Sequence, residues 1–336
     1  MRAWAFAEFG VEHLVLTERS EPRPGPGQLL VRLSAASLNY RDLLMVRGAY
    51  NPRQRLPLVP CSDGVGEVAA VGEGVSRFSV GDRVCPLFSQ TWVTGPPDDD
   101  AGRGTLGGPL DGTLQEVMLV DERAAVAAPE HLSDAEAACL PCAAVTAWRA
   151  LVTEGGIRPG DTVLTLGTGG VSLFALQLGT ALGAGVVVTS SSDEKLARAL
   201  AMGAAHGVNY RTDPKWGKAV RAWSGRGVDL VVELGGAATL GQSLGAVRTG
   251  GCIALIGNLG GNVAEIALPR ILMRAIRIQG LFVGNRDDFE SLTRFLSVNP
   301  DLRPTVDRVF PFEEAPEAFA HLASGTHFGK VAVSIR

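Results

Sequence analysis

"LTLGTGGVSLFALQ", residues 164–177, decides how this chain is read. Gly167 and Gly169 fit the first two glycines of a G-x-G-x-x-G turn, but Ser172 stands where the third belongs. Such a turn cradles a pyrophosphate when a strand enters it and a helix leaves it, inside a βαβ unit of about 30 residues. Residues 161–166 are apolar and alternating, 171–182 have helical spacing, and 186–190 read as the next strand. The first glycine permits the tight turn, and the second lets backbone N–H groups approach a phosphate at the helix amino end. The third mainly lets helix and strand pack closely. Serine is the smallest change that position takes, with a spare hydroxyl near the helix start. Gly167, Thr168, Gly169, Gly170 and Val171 are therefore expected to form a dinucleotide cradle rather than a passive turn.

Working outward, apolar strands alternate with helices. "DTVLTLG", "GVVVTSS", "VDLVVELGG", "GGCIALIGNLG" and "IRIQGLFVG" read as buried-type strands, with "VSLFALQLGTALG" and "DEKLARALAMG" as helices between them. This alternation predicts an α/β fold with a doubly wound parallel sheet. Ser133 and Glu136 make a capping box ahead of an alanine-rich helical run. Residues 1–127 differ: short strands such as "QLLVRLSAAS" are joined by glycine and proline turns, and "DGVGEVAAVGEGV" suits bent strands with bulges. The stretch "GPPDDDAGRGTLGGPLDG", 95–112, loses apolar periodicity and reads as an exposed loop, passive or serving as a lid. The tail holds an amphipathic helix, "DDFESLTRFLSVN", and a final strand, "GKVAVSIR". The expected organisation is 1–127, 128–283, and 284–336 returning to the first domain.

The chain has 336 residues, enough for two domains, and a formal charge of −4. That charge gives no basic footprint for nucleic acid or an anionic membrane. No apolar stretch has bilayer-spanning length, and the first residues lack a signal-peptide pattern. Five cysteines are an odd, sparse set, which favours thiols in a reducing compartment over a disulfide framework. A cytoplasmic protein without nucleic-acid or membrane partners is expected.

The next strand end bears on which dinucleotide binds. An NAD site usually places a carboxylate about 20 residues after the glycine turn, where it accepts from the ribose hydroxyls. Here the strand ends in Ser190, Ser191 follows, and Lys195 is within reach of a 2′-phosphate. Asp193 and Glu194 are read as helix-start acids, with Ser191 and Glu194 as a capping box. Tyr210, after the following strand, suits the adenine or the phosphate. The expectation is NADP(H) over NAD(H).

These runs, with "SLNYRDLLMVRGAY", "PLVPCSDGVGEVAAVGEGVSRFSVGDRV", "LPCAAVTAW" and "HFGKVAV", resemble the medium-chain dehydrogenase/reductase superfamily over essentially the full length. The resemblance is nearest to its zinc-independent, quinone-oxidoreductase-like branch. It implies a GroES-like, β-rich catalytic domain joined to a Rossmann dinucleotide-binding domain, and a homodimer formed through sheet edges. It also implies cofactor contacts at Thr146, Leu234, Gly235, Gly257, Asn258, Leu259, Phe282, Val283 and Lys330, the last near the cofactor phosphates. The superfamily's zinc-dependent members carry Cys, His and Cys at positions that correspond to Asn39, Ser62 and Cys142. One thiol is not a zinc site, so no metal is expected. Nor does the 95–112 loop hold the four clustered cysteines of the superfamily's structural zinc lobe. Cys139 and Cys142 form a C-x-x-C pair, read as buried packing.

Without a metal, charge developing on a substrate oxygen needs placed donors or an acid. The resemblance puts Asn39, Tyr40 and Asp42 at the cleft beside the nicotinamide. Asn39 has an amide donor and Tyr40 a phenol, the latter equally readable as pocket wall. Asp42 reads either as an orienting group or as a helix cap. The expected activity is NADPH-dependent hydride transfer to a quinone or an activated C=C bond. Alternatives are a zinc-independent alcohol or aldehyde dehydrogenase, and an NADPH-binding sensor with negligible turnover.

Overall fold

The computed structural model describes all of residues 1–336. The chain divides into two units, Met1–Val145 with Gly284–Arg336, and Thr146–Val283. The first boundary lies later than the 127 expected from sequence, because side chains of 128–145 are committed to the first unit. Asp134 pairs with Arg83 at 2.8 Å, Cys139 Sγ lies 3.4 Å from Ser37 Oγ, and the Ala137 carbonyl accepts from Cys85 Sγ at 3.6 Å. No helix is long and apolar enough to cross a membrane.

The first unit is built on a seven-stranded sheet. Its path runs Val306–Pro311, Lys330–Ser334, Gln28–Leu38, Asp63–Val71, Arg83–Pro86 and Ala125–Ala127, with Val117–Asp121 also paired to Gln28–Leu38. The glycine–valine alternation behaves as its sequence suggests. Gln28–Leu38 pairs with Asp63–Val71 through register shifts at Leu30/Val31 and Leu33/Ala35, which bend the strands. The tail strand Lys330–Ser334 inserts between Val306–Pro311 and Gln28–Leu38, pairing Val331 with Leu38. Chain return thus sets Lys330 beside Leu38 and Asn39. Leu29, Val31, Leu33, Val65, Val68 and Val331 fill the core with no solvent exposure.

The 95–112 segment, expected as an exposed loop, is exposed only in part. Residues 95–100 are exposed, but Ala101 and Gly104–Gly108 are buried. Backbone bonds from Leu106 N–H to Phe88 and from Leu110 N–H to Thr105 replace the missing apolar periodicity. The alanine-rich run is also less regular than expected. It alternates α-helix at Asp134–Ala137 and Val145–Trp148 with wider π-turns at Leu140–Ala144 and Arg149–Thr153.

The second unit is a six-stranded parallel sheet ordered His206–Asn209, Gly185–Ser190, Thr162–Leu166, Val228–Glu233, Val247–Leu255, Arg277–Gly280. In chain order that is 3-2-1-4-5-6, the doubly wound arrangement of dinucleotide-binding domains. Leu164, Val187, Val231 and Ile253 line its core, packed with Val220 and Leu244. Strand order reverses between Thr162–Leu166 and Val228–Glu233, so loops at their carboxyl ends diverge and leave a crevice. Arg277–Gly280 forms one edge of the sheet and His206–Asn209 the other, while Val247–Leu255 is paired on both sides.

Candidate active site

Functional side chains gather in two places, one in each unit. In the first unit, Asn39, Ser62, Asp63 and Lys330 close a ring. The Lys330 ammonium donates to Asn39 Oδ1 at 2.5 Å and to the Leu38 carbonyl at 2.8 Å. It stands 3.5 Å from Asp63 Oδ2. Asn39 Nδ2 donates to Ser62 Oγ at 3.3 Å, and Ser62 Oγ donates to Asp63 Oδ1 at 2.9 Å. Asp63 Oδ2 has no hydrogen-bond partner of its own and faces the Lys330 ammonium instead.

Burial sets the electrostatics. It works against the Lys330 ammonium, yet Asp63 and the surrounding acidic groups hold the pKa above its ordinary value, so the charge stays. Burial raises Asp63, opposed by Lys330, by the nearby Asn39 amide and by the hydrogen bond from Ser62. Asp42 is wholly buried; burial pushes its carboxyl up to about 7, with Arg41 opposing and Asp63 adding. One buried ammonium cannot neutralise two buried carboxylates, and the second therefore tends to keep its proton.

This arrangement sorts the expected catalytic residues. Asp42 accepts from the Asn39 N–H at 2.8 Å and caps the helix Tyr40–Val46. Asn39 orients its amide toward Lys330 and Ser62, so both ends of that group are engaged within the ring. Tyr40 is 43% exposed on the first helical turn. Lys330 departs from its expected place near phosphates. At 3% exposure, its ammonium is spent on the ring.

The same geometry tests zinc. Neither an amide nor a hydroxyl replaces the charged or imidazole ligands zinc prefers. Cys142 alone remains of the three expected ligand positions, and one thiol does not make a zinc site. A lysine ammonium sits directly on Asn39. These residues do not fit the metal. Nor does any group of three His, Cys, Asp or Glu side chains converge elsewhere.

In the second unit, Gly167 takes φ 80°, the left-handed backbone that lets the turn leave the strand Thr162–Leu166. A Cβ built on Gly167 or Gly169 meets nothing within 4 Å, so space opens in front of the turn. Gly169 caps the helix Gly170–Ala181 without any side-chain bond, leaving first-turn N–H groups of Gly170 and Val171 for an anion. Thr168 is buried within the turn. Ser172 differs from expectation: its hydroxyl is not spare but donates to the Leu166 carbonyl at 2.7 Å, stitching helix to strand. These residues fit a dinucleotide.

Ser190 ends its strand buried, with Oγ accepting from the Ser192 N–H at 3.2 Å. The helix cap is Ser192, whose Oγ accepts from the Lys195 N–H at 3.3 Å; the expected Ser191–Glu194 box does not form. The helix starts at Asp193, one residue later than that box requires. Ser191 and Lys195 are half-buried at this strand tip, and Tyr210 is exposed with its N–H on the Ser190 carbonyl. Asp193 accepts from Asn209 Nδ2 at 2.7 Å, so its carboxylate is tethered to the next strand.

Glu233, which the sequence reading passed over, organises the crevice loops. Fully buried, its carboxylate accepts from the N–H groups of Gly235 and Gly236 at 2.8 and 3.0 Å, from Thr239 Oγ1 at 2.5 Å, and from Ser243 Oγ. Its carbonyl accepts from Ile256 and Gly257 N–H groups, while Leu259 bonds back to Leu234. The Glu233 carboxylate thereby shapes the turn at Gly235–Gly236, while its backbone carbonyl and that of Leu234 hold the neighbouring Gly257–Asn258–Leu259 segment. A lone acid ending an apolar strand before two glycines was the available signal, since such a carboxylate must find donors. Val283 takes φ 42°, a strained backbone for a β-branched residue, next to half-buried Phe282. Thr146 is buried between the two π-turns.

A doubly wound dinucleotide cradle accompanied by a strand-rich polar unit defines an oxidoreductase class, and sequence comparison agrees. Residues 25–130 match the alcohol dehydrogenase GroES-like domain and residues 170–298 the zinc-binding dehydrogenase domain. The chain is 43% identical to a zinc-type alcohol dehydrogenase-like protein of Schizosaccharomyces pombe, over 97% of this chain and 96% of that one. It is 31% identical to the acryloyl-coenzyme A reductase of Metallosphaera sedula, over 94% of each. A solved NAD-dependent alcohol dehydrogenase superposes with TM-score 0.91 at 34% identity, covering 100% of both chains. The chain belongs to the zinc-type alcohol dehydrogenase-like family of the medium-chain dehydrogenase/reductase superfamily, whose members are NAD(P)-dependent oxidoreductases.

Proposed function

We propose that this protein is a zinc-independent, NADPH-dependent reductase of activated C=C bonds or quinones. One observation carries the reading: the positions that hold a catalytic metal in zinc-dependent members form a hydrogen-bonded ring around a lysine ammonium. Oxidising a simple alcohol without a Lewis acid is difficult, because the alkoxide must be stabilised by something else. Adding hydride to an enone or quinone moves negative charge onto a conjugated oxygen, and polar donors suffice for that. When bound, the reduced nicotinamide supplies the hydride.

The chain's residues then divide the work. The Gly167–Val171 turn binds the pyrophosphate through backbone N–H groups. Glu233 holds the loops at Gly235 and Gly257 in shape, and Val283 presents strained backbone where the carboxamide is expected. Ser190, with Lys195 and Tyr210 nearby, favours a 2′-phosphate because the strand tip offers no carboxylate of its own. Lys330 fixes the amide of Asn39 and keeps positive charge in the ring. Tyr40 is the exposed hydroxyl of the motif and serves as donor or wall. The acryloyl-coenzyme A reductase relative supports C=C reduction, and five free thiols support a reducing, cytoplasmic setting.

A second reading, a zinc-independent alcohol or aldehyde dehydrogenase, is favoured by the solved NAD-dependent alcohol dehydrogenase. Comparing NADPH oxidation with a quinone and an enone against NADP reduction by simple alcohols, all in EDTA, separates the two. Turnover of the first pair in EDTA is expected, with no zinc by elemental analysis. Activity confined to alcohols, or lost with the chelator, refutes the reading.

A further inference from the structure

Arg41 lies in the "NYRD" motif but was given no role by the sequence. Its guanidinium is held between two aromatic rings, 4.9 Å from the centroid of Tyr50 and 4.9 Å from that of Phe88. It donates to the Leu106 carbonyl at 3.0 Å, to Thr105 Oγ1 at 3.0 Å, and to the Gly108 carbonyl. Three partners in four successive residues mean that one side chain gathers the buried part of the 95–112 segment. The resemblance to the superfamily implies four clustered cysteines in this segment of its structural-zinc members. Here the segment has no cysteine.

The lobe in turn grips the polar ring. Just beyond it, Gly112 N–H bonds to Val59, Thr113 N–H to Cys61 and Leu114 N–H to Pro60. Thr113 Oγ1 donates to the Asp63 carbonyl at 2.7 Å. Cys61 takes φ 71°, a left-handed conformation that strains a non-glycine residue and persists only when neighbours enforce it. A side chain on Gly112 would strike the Cys61 carbonyl, so the two segments lie as close as backbones can. That strained residue immediately precedes Ser62 and Asp63.

We propose that Arg41 is a positioning residue: its stacked guanidinium pins the 104–110 lobe in place of a metal, and through that lobe holds Cys61–Asp63 and the ring around Lys330. The fork geometry matters. A guanidinium reaches several acceptors in one plane while stacking between rings, and an ammonium does neither. The pin does not depend on which substrate is reduced.

Hydrogen exchange on the full-length protein tests it. Arg41→Ala is expected to speed amide exchange across 104–114 at least tenfold, leaving 206–233 within twofold of wild type. Arg41→Lys, which keeps the charge, is expected to lose most of the same protection and covers the case in which the alanine variant folds poorly. Millimolar methylguanidinium should restore both the protection and the kcat of Arg41→Ala, with KM little changed. Unaltered exchange at 104–114 in both variants would overturn the proposal. So would full protection in Arg41→Lys, which would assign the effect to charge alone. Absence of enone and quinone turnover in wild type would refute the proposed reaction while leaving the exchange result to decide the pin.

Discussion

The Lys330 ammonium and the Asp63 carboxylate stand 3.5 Å apart with 3% and 0% exposure, brought together from distant parts of the chain by two successive strand pairings. Lys330–Ser334 runs antiparallel to Gln28–Leu38, and Gln28–Leu38 pairs with the strand that begins at Asp63. The charge at the centre of the first unit is thus a product of topology. It also explains why Asn39 and Ser62 are tolerable there: both satisfy an ion pair instead of a metal.

Breaking this pair should be costly. Lys330→Met strands a buried carboxylate and is expected to lose about 3–5 kcal/mol of stability. The charge-balanced Lys330→Met/Asp63→Asn variant should recover most of the loss. Urea unfolding of the two variants and wild type checks this; equal stability of single and double variants would mean that the pair is not coupled.

Asp42 makes stability depend on pH in an unusual direction. Its folded-state carboxyl titrates at about 7 against 3.8 for an ordinary aspartate, with burial the main cause. Between these limits the native chain holds a proton that the unfolded chain has released. The contribution of Asp42 is therefore fullest below about pH 4 and is lost as pH rises to about 7. Asp42→Asn keeps an acceptor for the Asn39 N–H and should remove that slope. Its stability relative to wild type is expected to grow between pH 4 and 7, by roughly 4 kcal/mol at most. Parallel stability profiles would refute this.

Cofactor choice turns on the tip of the second strand of the parallel sheet. Ser190→Asp should favour NADH over NADPH, since a carboxylate there repels the 2′-phosphate and accepts from ribose hydroxyls. Lys195→Ala should weaken NADPH by about 1.5–3 kcal/mol, on the order of tenfold to a hundredfold, and leave NADH nearly unchanged. Titration of both cofactors decides it. Equal weakening of the two by Lys195→Ala would shift the ribose contact to Asp193, already tethered to Asn209.

Self-association is expected through the edge of the parallel sheet. Arg277–Gly280 has one unpaired side, and the preceding segment leaves Leu272 and Met273 72% and 82% exposed. Two copies pairing at that edge would cover both features. Sedimentation at micromolar concentration should show a dimer, and Leu272→Asp should raise its dissociation constant at least tenfold. A monomeric wild type would count against it.

The sequence alone determined the second unit almost completely, because each of its signals is local. A glycine turn between an apolar strand and a helix is written in consecutive residues, and the βαβ alternation around it leaves few topologies. Resemblance to the superfamily marked Asn39 and Ser62 as positions without the side chains of a zinc site. Tertiary structure decided what those positions do instead. Nothing near Asn39 or Ser62 in the chain announces Lys330, some 290 residues away, whose ammonium leaves the expected phosphate role for the ring. Arg41 and Glu233 escaped for the same reason: a charge's function depends on the acceptors or donors folding places around it, and those lie on other segments. The buried part of the 95–112 loop, Gly104–Gly108, escaped because its order comes from backbone hydrogen bonds and one arginine, which leave no periodicity for a sequence to show.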